Sequence, residues 1–136
     1  MKFATILYLC VLTFASQTPL TASGGWSASP DTAVAVVTAI GNQWNVQMTT
    51  DAHHGAIVVW QDRRDGITDK LYVQRISSNG SLLWAEGGIP LAGTPGYQYY
   101  PRILADGSGG AFIVWQDNRS STGYDIYLQH VSGDGG

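Results

Sequence analysis

Residues 55–74 read GAIVVWQDRRDGITDKLYVQ, and residues 110–129 read GAFIVWQDNRSSTGYDIYLQ. The two stretches align without a gap. Trp60 and Trp115, Asp62 and Asp117, Arg64 and Arg119, Tyr72 and Tyr127, and Gln74 and Gln129 are each separated by 55 positions. The chain is therefore an internal repeat, and its organisation is to be sought in stacked copies of one unit. Within each copy the run before the tryptophan, Ala56-Ile57-Val58-Val59 or Ala111-Phe112-Ile113-Val114, is apolar at every position. A strand with two apolar faces needs a cover on both sides. Residues 71–76 instead mix Leu71, Val73 and Arg75 on one face with Tyr72, Gln74 and Ile76 on the other, as in a strand nearer a sheet edge.

Working outward, further strands are predicted over residues 44–50, 88–92, 100–105, 111–116 and 125–131. The separators Asp106-Gly107-Ser108-Gly109-Gly110, Asn79-Gly80 and Asp134-Gly135 are residues that tolerate positive φ. No window has a helical period. Gln43 and Gln98 keep the offset of 55, while Trp26 and Trp84 differ by 58, so the connection between them varies in length as a loop does. Four short strands in some 55 residues, with an inner strand covered on both sides, describe an all-β chain of about two four-stranded antiparallel β-propeller-type blades. A β-sandwich is the alternative. Two blades are too few to close a ring, so the expectation is an incomplete propeller, completed by further blades of the same protein or by other copies of it. The divisions expected are a signal peptide over residues 1–23, a first repeat with a diverged start over 24–80, and a truncated second repeat over 81–136.

The bulk composition agrees with sheets. The 136 residues hold 17 Gly, five Trp and seven Tyr, and only 12% are charged, against about 25% in average globular chains. A formal net charge of −3 argues against a nucleic-acid partner, which requires a basic patch to neutralise phosphates. Met1-Lys2, an apolar run from Phe3 to Ala15 and the small residues that follow have the form of an export signal, too short to span a bilayer. The expected location is thus secreted or at the cell surface, with no membrane span after cleavage. The single cysteine, Cys10, falls inside the apolar run, so the exported part has no disulfide to rely on.

WQDRR at residues 60–64 and WQDNR at 115–119, followed by LYVQR and DIYLQH, resemble the blade repeats of large secreted or surface-attached bacterial β-propeller proteins. That resemblance implies a scaffold or binding module. The first copy departs from the repeat form at Val46, where the second has Pro101, and at His53-His54, where the second has Ser108-Gly109. Neither copy carries the S-x-D-x-G-x-T-W box of sialidases.

The recurrence also weighs on the candidate site. Trp60, Asp62, Arg64, Tyr72 and Gln74, with Trp115, Asp117, Arg119, Tyr127 and Gln129, have residue types suited to a polar ligand. A catalytic group, however, is needed once per molecule and not once per blade. These ten are therefore read as structural, with the aspartate accepting backbone N–H groups at the strand exit and the arginine pairing with it or packing its stem on the tryptophan. Asp62, Asp65 and Asp69 lack the spacing of a calcium loop, and His53-His54 lacks a third ligand, so no metal or other cofactor is expected. Trp44, Tyr99 and Tyr100 are the candidate ligand-rim aromatics, since sugars stack on such rings, although filling gaps between blades is the plainer use of Trp and Tyr. The function expected is non-catalytic, a secreted scaffold or a module recognising a glycan or a cell-surface protein. The alternative is a portion of a larger glycoside-acting, sialidase-like enzyme with its catalytic carboxylates elsewhere.

Overall fold

The computed structural model describes residue 26 and residues 33–136; the predicted signal peptide lies outside them. The described chain is all-β, with seven strands: β1 (Gln43–Thr50), β2 (Ala56–Asp62), β3 (Lys70–Ile76), β4 (Ile89–Pro90), β5 (Gln98–Ala105), β6 (Ala111–Asp117) and β7 (Asp125–Val131). They form two antiparallel sheets, β1-β2-β3-β4 and β5-β6-β7.

The second sheet thus has three strands where four are expected. Ile89 and Pro90 pair with Val73 and Tyr72 of β3, so the first sheet runs past residue 80, the division expected between the repeats. Among the described residues nothing pairs with the outer edge of β7.

The repeat holds at the level of register. Trp60 faces Tyr72 in the first sheet and Trp115 faces Tyr127 in the second. The ladder of β1 slips between Trp44 and Gln47, and that of β5 slips between Tyr99 and Arg102, 55 residues on. At these bulges Asn45 has φ 50° and Tyr100 has φ 55°, left-handed backbone that a bulky side chain rarely adopts.

Alternation along β2 gives two faces. Ile57 and Val59, with Leu71 and Val73 of β3, pack against Ala111, Ile113, Trp115 and Val131 of the second sheet. The opposite face, Val58 and Trp60 with Ile76, is covered by Val36, Val37 and Leu82. β2 is buried along its whole length, as its unbroken apolar run demands. In β6 only one face is covered: Ala111, Ile113 and Trp115 are buried, while Phe112 is exposed. The expected two-sided cover of this strand is therefore met on one side among the described residues.

The sheets are also stitched by polar groups. Gln98, fully buried, accepts the Leu71 N–H at 2.9 Å and donates to the Ala92 carbonyl at 3.2 Å. Arg75 pairs with Asp51 at 3.0 Å and donates to the Gly133 carbonyl at 2.7 Å. Buried donors and acceptors left without partners would be expensive, so such bonds fix how the two sheets sit together.

Candidate functional site

The ends of β2 and β6, the starts of β1, β5 and β3, and the loop into β7 all emerge at one rim of the two sheets. Most sequence-predicted site residues meet there, in two groups of different character.

The first group is the Trp-Gln-Asp-x-Arg motif, and it is closed upon itself. Asp62 is buried and accepts the Trp60 indole N–H at 2.8 Å, the Arg64 backbone N–H at 2.9 Å and the Arg64 guanidinium at 2.7 Å. The guanidinium lies over the Tyr72 ring, 3.6 Å from its centroid. It also donates to the Gly87 carbonyl at 2.8 Å. Asp117 repeats the arrangement with Trp115 at 3.0 Å and Arg119 at 2.6 Å, and Arg119 sits 3.7 Å over Tyr127. Burial works against ionisation of Asp62, but the hydrogen bonds from Arg64 and Trp60 outweigh it and hold its pKa below the usual carboxylate value; Asp117 is held down in the same way by Arg119 and Trp115. A carboxylate with its lone pairs taken up, buried, and charged is neither a free acid nor an open ligand.

Gln74 and Gln129 differ. Gln74 is buried, donates to the Ala85 carbonyl at 2.9 Å and accepts the Trp84 N–H at 2.9 Å, anchoring the strand connection. Gln129, its repeat partner, is exposed.

The second group is aromatic and open. Tyr97 and Tyr99 stack with centroids 5.8 Å apart and planes 6° from parallel. Tyr124 and Tyr100, both exposed, each tilt against Tyr99, with centroids 5.7 Å and 6.0 Å from it. The Tyr97 N–H is held by the Asn118 side chain at 2.6 Å, and the Tyr100 N–H by buried Gln61 at 3.0 Å. Burial, joined by the Asp69 carboxylate beside it, pushes the Tyr99 hydroxyl above its ordinary pKa.

Arg63 extends this group toward the first sheet. It makes a two-point ion pair with buried Asp69, both contacts at 2.7 Å, and its guanidinium is 5.4 Å from the centroid of the Trp44 ring. Trp44, Arg63, Gly41, Asn42 and Gln43 line an open depression of about 580 Å³. Sequence reading missed Arg63, Gln61 and Gln98. The recurrence of Gln61 as Gln116 and of Gln98 as Gln43 was the available signal, whereas Arg63 has no counterpart, since Asn118 occupies its place.

The acidic residues of the β2–β3 turn do not converge. Asp65 accepts from the Thr68 hydroxyl, which together with the Ile67 and Thr68 N–H groups lowers its pKa to about 2, while Asp62 and Asp69 are held by arginines. Among the described residues no three His, Cys, Asp or Glu side chains gather in a metal-binding group. No family model matches the chain, and no curated protein or solved structure is significantly similar to it.

Proposed function

We propose that this chain is an exported, non-catalytic repeat scaffold of the β-propeller type whose aromatic rim recognises carbohydrate. The observation that carries the reading is the Tyr97–Tyr99 stack, flanked by Tyr124 and Tyr100 and continued by Trp44 and Arg63 along one rim. Flat ring faces beside a fixed guanidinium and amide groups suit a sugar, which presents an apolar C–H face and a belt of hydroxyls. The propeller reading is supported by the way the sheets stack. Each turns the same way, so that the Val59 face of one meets the Trp115 face of the next, whereas a sandwich opposes two like inner faces. The signal-like residues 1–15 support export. The non-catalytic reading is supported by the saturation of Asp62 and Asp117.

A glycan array probed with the exported chain tests this. Binding to a restricted set of glycans is expected, with Tyr99→Ala and Tyr124→Ala each weakening it about tenfold, or ~1.4 kcal/mol, and Ser108→Ala at the opposite end leaving it unchanged. Equal binding by the tyrosine variants, or no glycan bound, sinks the rim as a site. Release of a cleaved sugar sinks the non-catalytic reading.

A further inference from the structure

We propose that the exposed face of the second sheet, together with the free edge of β7, is the docking site for the first sheet of a second copy of this chain, joined head to tail. The argument is the offset of 55 applied to burial. Ile57, Val59, Leu71 and Val73 are sealed beneath the second sheet. Their counterparts are Phe112, Val114, Ile126 and Leu128, of which Phe112 is 42%, Ile126 68% and Leu128 64% exposed. In the first sheet, then, this same face is already covered, and what covers it is a repeat sheet presenting its tryptophan side.

The opposite end of the stack supplies the complementary surface. Val46 and Met48 on β1 are 57% and 69% exposed, whereas their counterparts, Pro101 and Ile103, are buried or packed on the core between the sheets. The cluster Val58, Trp60, Ile76 with Val36 and Val37 maps one for one onto Ile113, Trp115, Val131 with Leu91 and Ala92. The residues that make the joint inside one chain thus recur, already assembled, at its outer end.

The missing fourth strand has a source in the same surface. Ile89 and Pro90 pair with Val73 and Tyr72. Subtracting 55 from the first pair and adding it to the second puts Val34 opposite Leu128 and Ala35 opposite Tyr127. Val34 and Ala35 are described but in no ladder, and among the described residues β7 has no partner on that edge. Strand addition of this kind satisfies a row of backbone groups at once.

Two side chains beside the edge agree. Among the described residues Arg119 Nε is buried with no hydrogen-bond partner, and its guanidinium meets no carbonyl such as Gly87 offers Arg64. Gln129 is exposed where Gln74 holds the Trp84 backbone. Trp84 puts its indole on the second sheet, bonding the Gly133 carbonyl at 3.3 Å, and the six-membered ring of Trp26 lies beside Gly80, in the turn after β3. Ala33 stands where Gly88 turns over Trp60 with no room for a Cβ, so the added strand begins at Val34. Because the two surfaces differ, the contact is heterologous and propagates into a ring or an open filament.

Disulfide trapping on a Cys10→Ser background tests the register. Residues directly opposite in an antiparallel pair have Cα atoms about 4.5–5.5 Å apart, within disulfide reach. Positions 34 and 128 lie on opposite sides of the two-sheet stack, so one chain cannot join them. An oxidised equimolar mixture of Val34→Cys and Leu128→Cys should form a covalent dimer at least ~10-fold more than Leu128→Cys mixed with Ile67→Cys, the advantage of docked over random encounter. The double variant Val34→Cys/Leu128→Cys should give a ladder of higher species. A mixture that cross-links no better than the control overturns the proposal, as does Leu128→Cys alone giving a homodimer as its main product, which would mean face-to-face pairing. The inference extends the scaffold reading but is independent of the rim: cross-linking without glycan binding leaves assembly standing, and the converse leaves recognition standing.

Discussion

Asp62 shows at the scale of one residue how a motif of reactive residue types is held by its own hydrogen bonds. Removing its carboxylate leaves a buried indole N–H and the Arg64 guanidinium without their acceptor, and breaking one side of such a buried pair costs about 3–5 kcal/mol. Asp62→Ala should therefore lower the unfolding free energy by about 3 kcal/mol in urea titration, with Asp117→Ala costing less because Arg119 makes fewer bonds than Arg64. The depressed pKa of both carboxylates sets a pH dependence. The folded value lies below the ordinary 3.8, so their stabilisation is complete above about pH 5 and drains as pH falls through the lower folded value. Thermal melts should show a midpoint falling steeply below pH 4, with a flatter profile in Asp62→Asn. Backbone strain gives a prediction of the opposite sign. Ala52 has φ 62°, where its repeat counterpart is Gly107 at φ 83°. Ala52→Gly should relieve a left-handed alanine and raise stability by about 0.5–1 kcal/mol in the same titration.

At the scale of the element, β2 and β6 are nearly the same sequence in different surroundings. Ile57 is sealed under the second sheet and its counterpart Phe112 lies open. Ile57→Ala should cost about 2–5 kcal/mol, the range for a buried aliphatic truncation, while Phe112→Ala should cost under about 1 kcal/mol when measured in dilute solution. Equal losses would mean that the face of β6 is covered. The apolar runs and the glycine-rich separators identified both strands from sequence, because a period of two, or an unbroken apolar run, and turn chemistry are local properties. β4 was legible as a strand over residues 88–92, but not the sheet to which it belongs. Which sheet Ile89 and Pro90 join depends on the path of the connection from Leu82 to Ile89, and Gln74 directs that path by holding Trp84 and Ala85.

At the scale of the whole molecule, the two sheets are related by repetition along the stack, so each has a covered tryptophan face and, among the described residues, the second has an uncovered partner face. The stack is directional as a result. Core truncations at the joint, such as Ile113→Ala, should loosen both sheets together, since Ile113 belongs to the cluster shared by β2, β3 and β6. Hydrogen exchange should then show protection lost in β2 as well as β6. Exchange confined to the second sheet would mean that the sheets unfold independently.

The amino-acid sequence by itself determined the repeat, its offset, the all-β class and most strand positions, since each follows from neighbouring residues and from identity between copies. It also marked Trp44, Tyr99 and Tyr100 as rim residues. Only the tertiary structure decided that Arg63 and Asp69 join the aromatic rim, that Ile89 and Pro90 pair with the first sheet, and that among the described residues one sheet has four strands and the other three. The physical reason is that these outcomes depend on what lies across a sheet face or beside a strand edge. Two copies with the same residues at the same offset acquire different roles when a neighbour covers the first and leaves the second open.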